Sequence, residues 1–297
     1  MSHVHHFSYG LLTPVLAYIM SCVGSLLGLL FTARARAAAG ASRGWWLVLG
    51  ALAIGGTGIW VMHFIAMLGF SIPGASIRYN VPATLVSALV AVVVVSVGLF
   101  TVGFGGSRQS TLLIGGIFAG VGVASMHYMG MAAMRTTGWV GYNLGLVTLS
   151  VVIAVVAATV ALWFTVLVRG VVATIAAALI MGVAVTGMHY TGMAALRVRV
   201  DSSLPVPSGA SPADFLLPLI IAISVITMLL LTIVAMSPNE DEMRLDAELV
   251  ERIHQRRLAT NGDLSSYYRP GYRPDYRTGN GSGDPSIRTG RWFDGGS

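Results

Sequence analysis

Lysine is absent from the 297 residues, cysteine occurs once and charged residues make up only 10% of the chain. The lone thiol, Cys22, has no intrachain disulfide partner, so a disulfide framework is excluded, and its plain role is that of a small buried hydrophobe. Charge this sparse, with 55% hydrophobic residues and a mean hydropathy of +0.76, excludes an ordinary soluble globular domain. The chain reads as a polytopic membrane protein whose first partner is the lipid bilayer.

The net charge of +6 does not indicate a nucleic-acid partner. From Ser237 onward nine Arg face ten Asp plus Glu, whereas residues 1–236 hold nine Arg against Asp201 and Asp214. The basic excess therefore sits in loops between apolar segments. A spanning helix needs about 20 mostly apolar residues, and seven such segments are present, at 11–33, 45–70, 82–104, 112–134, 144–168, 172–196 and 214–236. The expected fold is all-α, with seven transmembrane helices. The first segment reads as a retained helix, because it is long, has no Arg before it and shows no small-residue cleavage site.

Loop arginines set the expected orientation. Arg34, Arg36, Arg43, Arg108, Arg169, Arg244, Arg252, Arg256 and Arg257 fall on one side, and Arg78, Arg135, Arg197 and Arg199 on the other. The N-terminus is expected outside and the C-terminus in the cytoplasm of a multi-pass cell-membrane protein. Beyond the membrane domain, residues 1–236, a cytoplasmic amphipathic helix is expected at 237–260. It opens with Glu240, Asp241 and Glu242 and carries a stripe of Leu245, Leu249 and Ile253. The Gly/Pro/Ser/Arg/Tyr-rich segment 261–297 is expected to be disordered.

One pattern carries chemistry. Met62-His63-Phe64, Met126-His127-Tyr128 and Met188-His189-Tyr190 recur 64 and 62 residues apart, each with a further Met four residues after the His: Met67, Met131 and Met193. Residues i and i+4 differ by about 40° around a helix, so each imidazole shares a stripe with a thioether, while the preceding Met lies on its flank. Each motif falls near the outer end of its helix, so all three share one depth. The opening of each repeat is also shared: Ser8-Tyr9-Gly10, Arg78-Tyr79-Asn80 and Gly141-Tyr142-Asn143. The layout is three two-helix repeats plus one final helix.

An isolated Met on a membrane helix is ordinary filler, and an aromatic near a helix end is ordinarily an interfacial anchor. Histidine inside a bilayer is costly and marks a functional or hydrogen-bonding role. Imidazole with thioether is a ligand set suited to copper, whereas the lack of carboxylates and clustered cysteines argues against Mg, Ca, iron–sulfur and structural zinc. Tyr128 and Tyr190, with Tyr9, Tyr79 and Tyr142, are candidates for hydroxyls that orient the ligands. Of the N-terminal His3, His5 and His6, His6 is the nearest candidate. Gly130 and Gly192 read as scaffold, and Arg135 and Arg197 as side chains snorkelling to the interface.

The three in-register copies, the last reading Met188-His189-Tyr190-Thr191, resemble the MHYT domain, a bacterial integral-membrane sensor module, over residues 7–236. That resemblance implies a copper-binding sensor responding to a diatomic gas (O2, CO or NO) or to redox state, often joined to cyclic-di-GMP enzymes. It implies Met62, His63, Met67, Met126, His127, Met131, Met188, His189 and Met193 as ligands. Repeat 1 departs from the pattern in having Phe64 where the others have Tyr. A large segment after the last helix is missing, so the chain is expected not to be an enzyme, and to signal through a cytoplasmic partner or a homodimer. The competing reading is a copper-handling, transport or redox protein.

Overall fold

The computed structural model describes residues 8–258 apart from 107, 202, 204, 206, 238–244, 246 and 247. His3, His5, His6, the opening of the expected 237–260 helix and the whole 261–297 segment lie outside the described residues. The chain divides into two units, 1–246 and 247–297. In the second, residues 248–258 are helical, with Leu249, Val250, Ile253 and Leu258 exposed.

The first unit is a bundle of long apolar helices: α1 (Leu12–Ala37), α2 (Gly40–Leu68), α3 (Val81–Gly105), α4 (Gln109–Ala133), α5 (Leu144–Leu167) and α6 (Val171–Ala194). By length and apolarity these six can cross a membrane, and the protein is a multi-pass membrane protein. A further helix, α7 (Pro212–Met236), contains Pro218, and its apolar stretch Ile221–Met236 is shorter than the six. Two boundaries differ from the sequence reading. α1 runs on past residue 33, so Arg34 and Arg36 belong to its last turn rather than to a loop. Asp214 belongs to the first turn of α7, where its amide donates to the capping Ser211 hydroxyl at 3.1 Å.

Successive helices pack side by side, and α6 returns against α1, so α1 to α6 close a ring. The histidine-bearing α2, α4 and α6 also touch one another inside it. Small residues permit this. A Cβ at Gly24 of α1 would sit 2.2 Å from the backbone nitrogen of Gly58 in α2, and one at Gly120 of α4 would sit 2.4 Å from the Val155 Cα of α5. Within α2, Leu52–Val61 winds as a wider π-helix that ends directly before Met62. Such segments are rare and concentrate at functional sites.

The expectation of a purely α fold is corrected by four short strands at the histidine end: β1 (Ile77–Tyr79), β2 (Met134–Thr136), β3 (Gly138–Tyr142) and β4 (Leu196–Val200). They pair antiparallel as β1 with β2 and β3 with β4. Arg135 and Arg197 thus stand on strands, not on helix ends. The leaders of the odd helices repeat one bond: the amides of Ser8, Asn80 and Asn143 donate to the carbonyls of Gly69, Ala133 and Ala195 at 2.9, 2.9 and 2.8 Å. Each acceptor lies six residues beyond its histidine. Asn80 and Asn143 also cap α3 and α5 through their side chains.

At the opposite end, three arginines bond helix-terminal carbonyls. Arg34 donates to Val234 and Ser237 of the α7 terminus at 2.9 and 3.3 Å, and Arg36 to Thr165 and Val168 at the end of α5. Arg43 reaches Ala35 and, at the end of α3, Gly103. Cations suit these positions, because the last carbonyls of a helix lack partners and carry its negative dipole end.

Candidate metal centre

Spaced by whole hairpins, the three motif histidines converge. His63 Nδ1 lies 3.1 Å from His127 Nδ1 and 3.1 Å from His189 Nδ1. The rings are 5.0, 4.9 and 5.0 Å apart and mutually near-perpendicular, at 84°, 82° and 89°. Each imidazole is 1% exposed. Among the described residues this is the one group of three His, Cys, Asp or Glu side chains close enough to share an ion, its ligand atoms all within 4.8 Å.

The donor set fits a metal better than it fits itself. A ring nitrogen carries either a proton or an in-plane lone pair, never both. Three facing Nδ1 atoms therefore cannot all pair, and at least one edge opposes two donors or two lone pairs. A cation converts this conflict into ligand bonds from three neutral imidazoles. First-row ions hold imidazole nitrogen at about 2.0–2.1 Å, which places such nitrogens roughly 3.3–3.6 Å from one another, slightly beyond the spacing found.

The ring backs explain two glycines. A Cβ on Gly130 would lie 2.5 Å from His63 Nε2, and one on Gly192 would lie 2.3 Å from His127 Nε2. Each histidine thus backs onto the next motif helix three residues past that helix's own histidine. The sequence reading treated these glycines as scaffold; they are the seats of the imidazoles. Met62, Met67, Met126, Met131, Met188 and Met193 are all buried.

The aromatic after each histidine stands edge-on to it, with Phe64, Tyr128 and Tyr190 at 4.8, 5.0 and 5.0 Å. Tyr128 directs its hydroxyl to Ser150 Oγ of α5 at 2.6 Å. In repeat 1, which has no hydroxyl there, Trp60 Nε1 donates to Ser87 Oγ of α3 at 2.9 Å. Ser87 and Ser150 both stand eight residues after the leader tyrosines Tyr79 and Tyr142, a match visible in the sequence once the repeats are aligned there. Tyr190 packs with Ala17 of α1, the corresponding place in the first leader. Tyr79 and Tyr142 meet Phe64 and Tyr128, one ring removed from the imidazoles, whereas Tyr9 is exposed. Burial pushes the Tyr79 and Tyr142 hydroxyls up, so both remain protonated.

Toward the arginine end, an apolar cavity of about 60 Å³ lies along the same three helices. Ile59, Val123 and Val185 line it, each four residues before a histidine, together with Met188. It shares Leu99 and Thr165 with a second cavity of about 160 Å³ that Arg36 and Arg43 border.

Three segments, 56–116, 120–178 and 182–245, match the MHYT family, described as a bacterial signalling protein N-terminal repeat. The chain belongs to the MHYT family. Each match opens seven residues ahead of its histidine, and the third runs through α7. The family repeat is thus phased differently from the hairpins, which leave α7 outside. The bifunctional diguanylate cyclase/cyclic di-GMP phosphodiesterase MucR of Pseudomonas aeruginosa is 34% identical over 242 residues, covering 80% of this MHYT chain and 35% of MucR. Cyclic di-GMP phosphodiesterase NbdA of the same organism is 35% identical over 66% of this chain and 25% of its own length. Signaling protein YkoW of Bacillus subtilis is 29% identical over 67% and 26%. The chain spans about a third or less of the length of these relatives. No solved structure matches it.

The expectation that the protein is not an enzyme is corrected here. MucR and NbdA, which share the MHYT region, are named as cyclic di-GMP enzymes, so a lack of catalytic residues in this region says nothing against an enzymatic role.

Proposed function

We propose that the MHYT region is a copper-loaded membrane sensor, with His63, His127 and His189 as one shared site. The observation that carries this reading is the convergence of three buried Nδ1 atoms without a carboxylate in the cluster. Met67, Met131 and Met193, one turn beyond the histidines, are the thioethers best placed to add soft ligands, with Met62, Met126 and Met188 at the flanks. Copper, when bound, supplies one-electron redox chemistry and affinity for a small neutral ligand such as O2, CO or NO. The chain's own part is to hold the imidazoles, exclude water and admit that ligand. The apolar cavity one turn from the triad suits such a molecule, because apolar cavities stay dry and accept small apolar solutes.

In this reading seven helices span the membrane, the histidine end faces outward and the arginine end faces the cytoplasm. A change at the triad passes along α6 and α7 to whatever follows residue 236, and in relatives such as MucR the partner is a cyclic-di-GMP enzyme on the same chain. Copper transport is disfavoured by the apolar lining of the cavity, since conduction needs ligating groups along the path.

The test is a chimera in which this MHYT region replaces that of MucR. Cyclic-di-GMP turnover is expected to shift by severalfold on copper loading, and not in the His63→Ala/His127→Ala/His189→Ala variant. Turnover indifferent to copper, or histidine-dependent copper flux into proteoliposomes, would overturn the sensor reading.

A further inference from the structure

The β3–β4 ribbon carries charge that the metal centre does not use. Its register sets Trp139 opposite Arg199 and Gly141 opposite Arg197. Directly opposed residues share a face of the ribbon, so one face presents an indole and two guanidiniums. Leu196 and Val198 alternate to the other face and are buried. Gly141 has no side chain and leaves a notch beside Arg197, part of a groove of about 440 Å³ lined by Trp139, Val140, Gly141, Arg197, Val198 and Arg199. Trp139 is 73% exposed, and both arginines are exposed. Asp201, next on that face, has its Oδ1 taken by the amide and hydroxyl of Ser203. The β1–β2 ribbon repeats the theme, with Arg78 directly opposite Arg135. Like charges facing across strands cost stability unless something anionic lies between or above them.

The ribbon joins the ends of α4 and α6 to the rest of the chain, so it lies where spanning helices meet the headgroups. Exposed Trp belongs at that level, and Leu144, at the start of α5, is 78% exposed for contact with acyl chains. We propose that this face binds the phosphate of an anionic phospholipid, with Arg197 and Arg199 on the headgroup and Trp139 beside the glycerol region. Electrostatic complementarity selects the lipid, because phosphatidylcholine offers the same acyl chains with a neutral headgroup.

Trp139 reports on its own site. The full chain, reconstituted in phosphatidylcholine vesicles containing acyl-brominated phosphatidylglycerol or acyl-brominated phosphatidylcholine, is compared with its Trp139→Phe variant to isolate quenching of that indole. Brominated phosphatidylglycerol is expected to quench Trp139 more strongly at equal mole fraction. Local enrichment is expected at about fivefold per arginine, from roughly 1 kcal/mol for each basic residue at an anionic surface. Arg197→Gln/Arg199→Gln should remove the preference and Arg78→Gln/Arg135→Gln should leave it. Equal quenching by the two lipids would overturn the proposal. So would a preference that survives in R197Q/R199Q or disappears in R78Q/R135Q, since either places the attraction elsewhere.

Discussion

Gly130 and Gly192 hold imidazoles from neighbouring motifs, and no side chain fits where they are: a Cβ would stand 2.5 and 2.3 Å from the ring nitrogens of His63 and His127. Gly130→Ala is therefore expected to displace the His63 ring and to weaken copper binding at least tenfold. The overpacking cost is about 1–3 kcal/mol, and circular dichroism would show a retained helical fold. Copper affinity equal to that of the parent would mean that ring position does not matter. Tyr128→Phe makes the opposite case. Losing the 2.6 Å bond to Ser150 should lower stability by about 1 kcal/mol, with copper content unchanged, as measured by thermal unfolding beside metal analysis. Trp60→Phe should match it in repeat 1, because Trp60 supplies the equivalent bond to Ser87. The histidines and methionines were legible as a repeated pattern. The glycine seats were not, because a histidine's neighbour three residues along another helix depends on how those helices dock.

The helices themselves were readable because each is a long apolar run, and one turn of error at an end changes little. The strands were not, since three to five residues pair with partners in another repeat and carry no run of their own. The arginines served as topology markers in the sequence, yet their side chains bond helix ends. Arg34 joins α1 to Val234 and Ser237, so Arg34→Gln should loosen the last turn of α7 while the triad stays intact. Charge-assisted bonds of this kind contribute about 1.5–3 kcal/mol. Hydrogen exchange at 234–237 should accelerate accordingly, with copper content unchanged, and equal exchange in parent and variant would show that the bond is not restraining the terminus.

At the scale of the molecule, three motifs separated by more than sixty residues in sequence become one site because α1 to α6 close a ring and bring α2, α4 and α6 together inside it. Spacing and helical stripes put the histidines at one depth. They left open whether each formed its own site with its methionines, because sequence periodicity does not state whether repeats face inward or outward. The decisive measurement is copper stoichiometry in the purified, copper-loaded chain and in His63→Ala, His127→Ala and His189→Ala taken singly. A shared triad requires one copper per chain and its loss in each single variant. Three coppers per chain, one third removed by each substitution, would contradict it, as would copper content indifferent to all three.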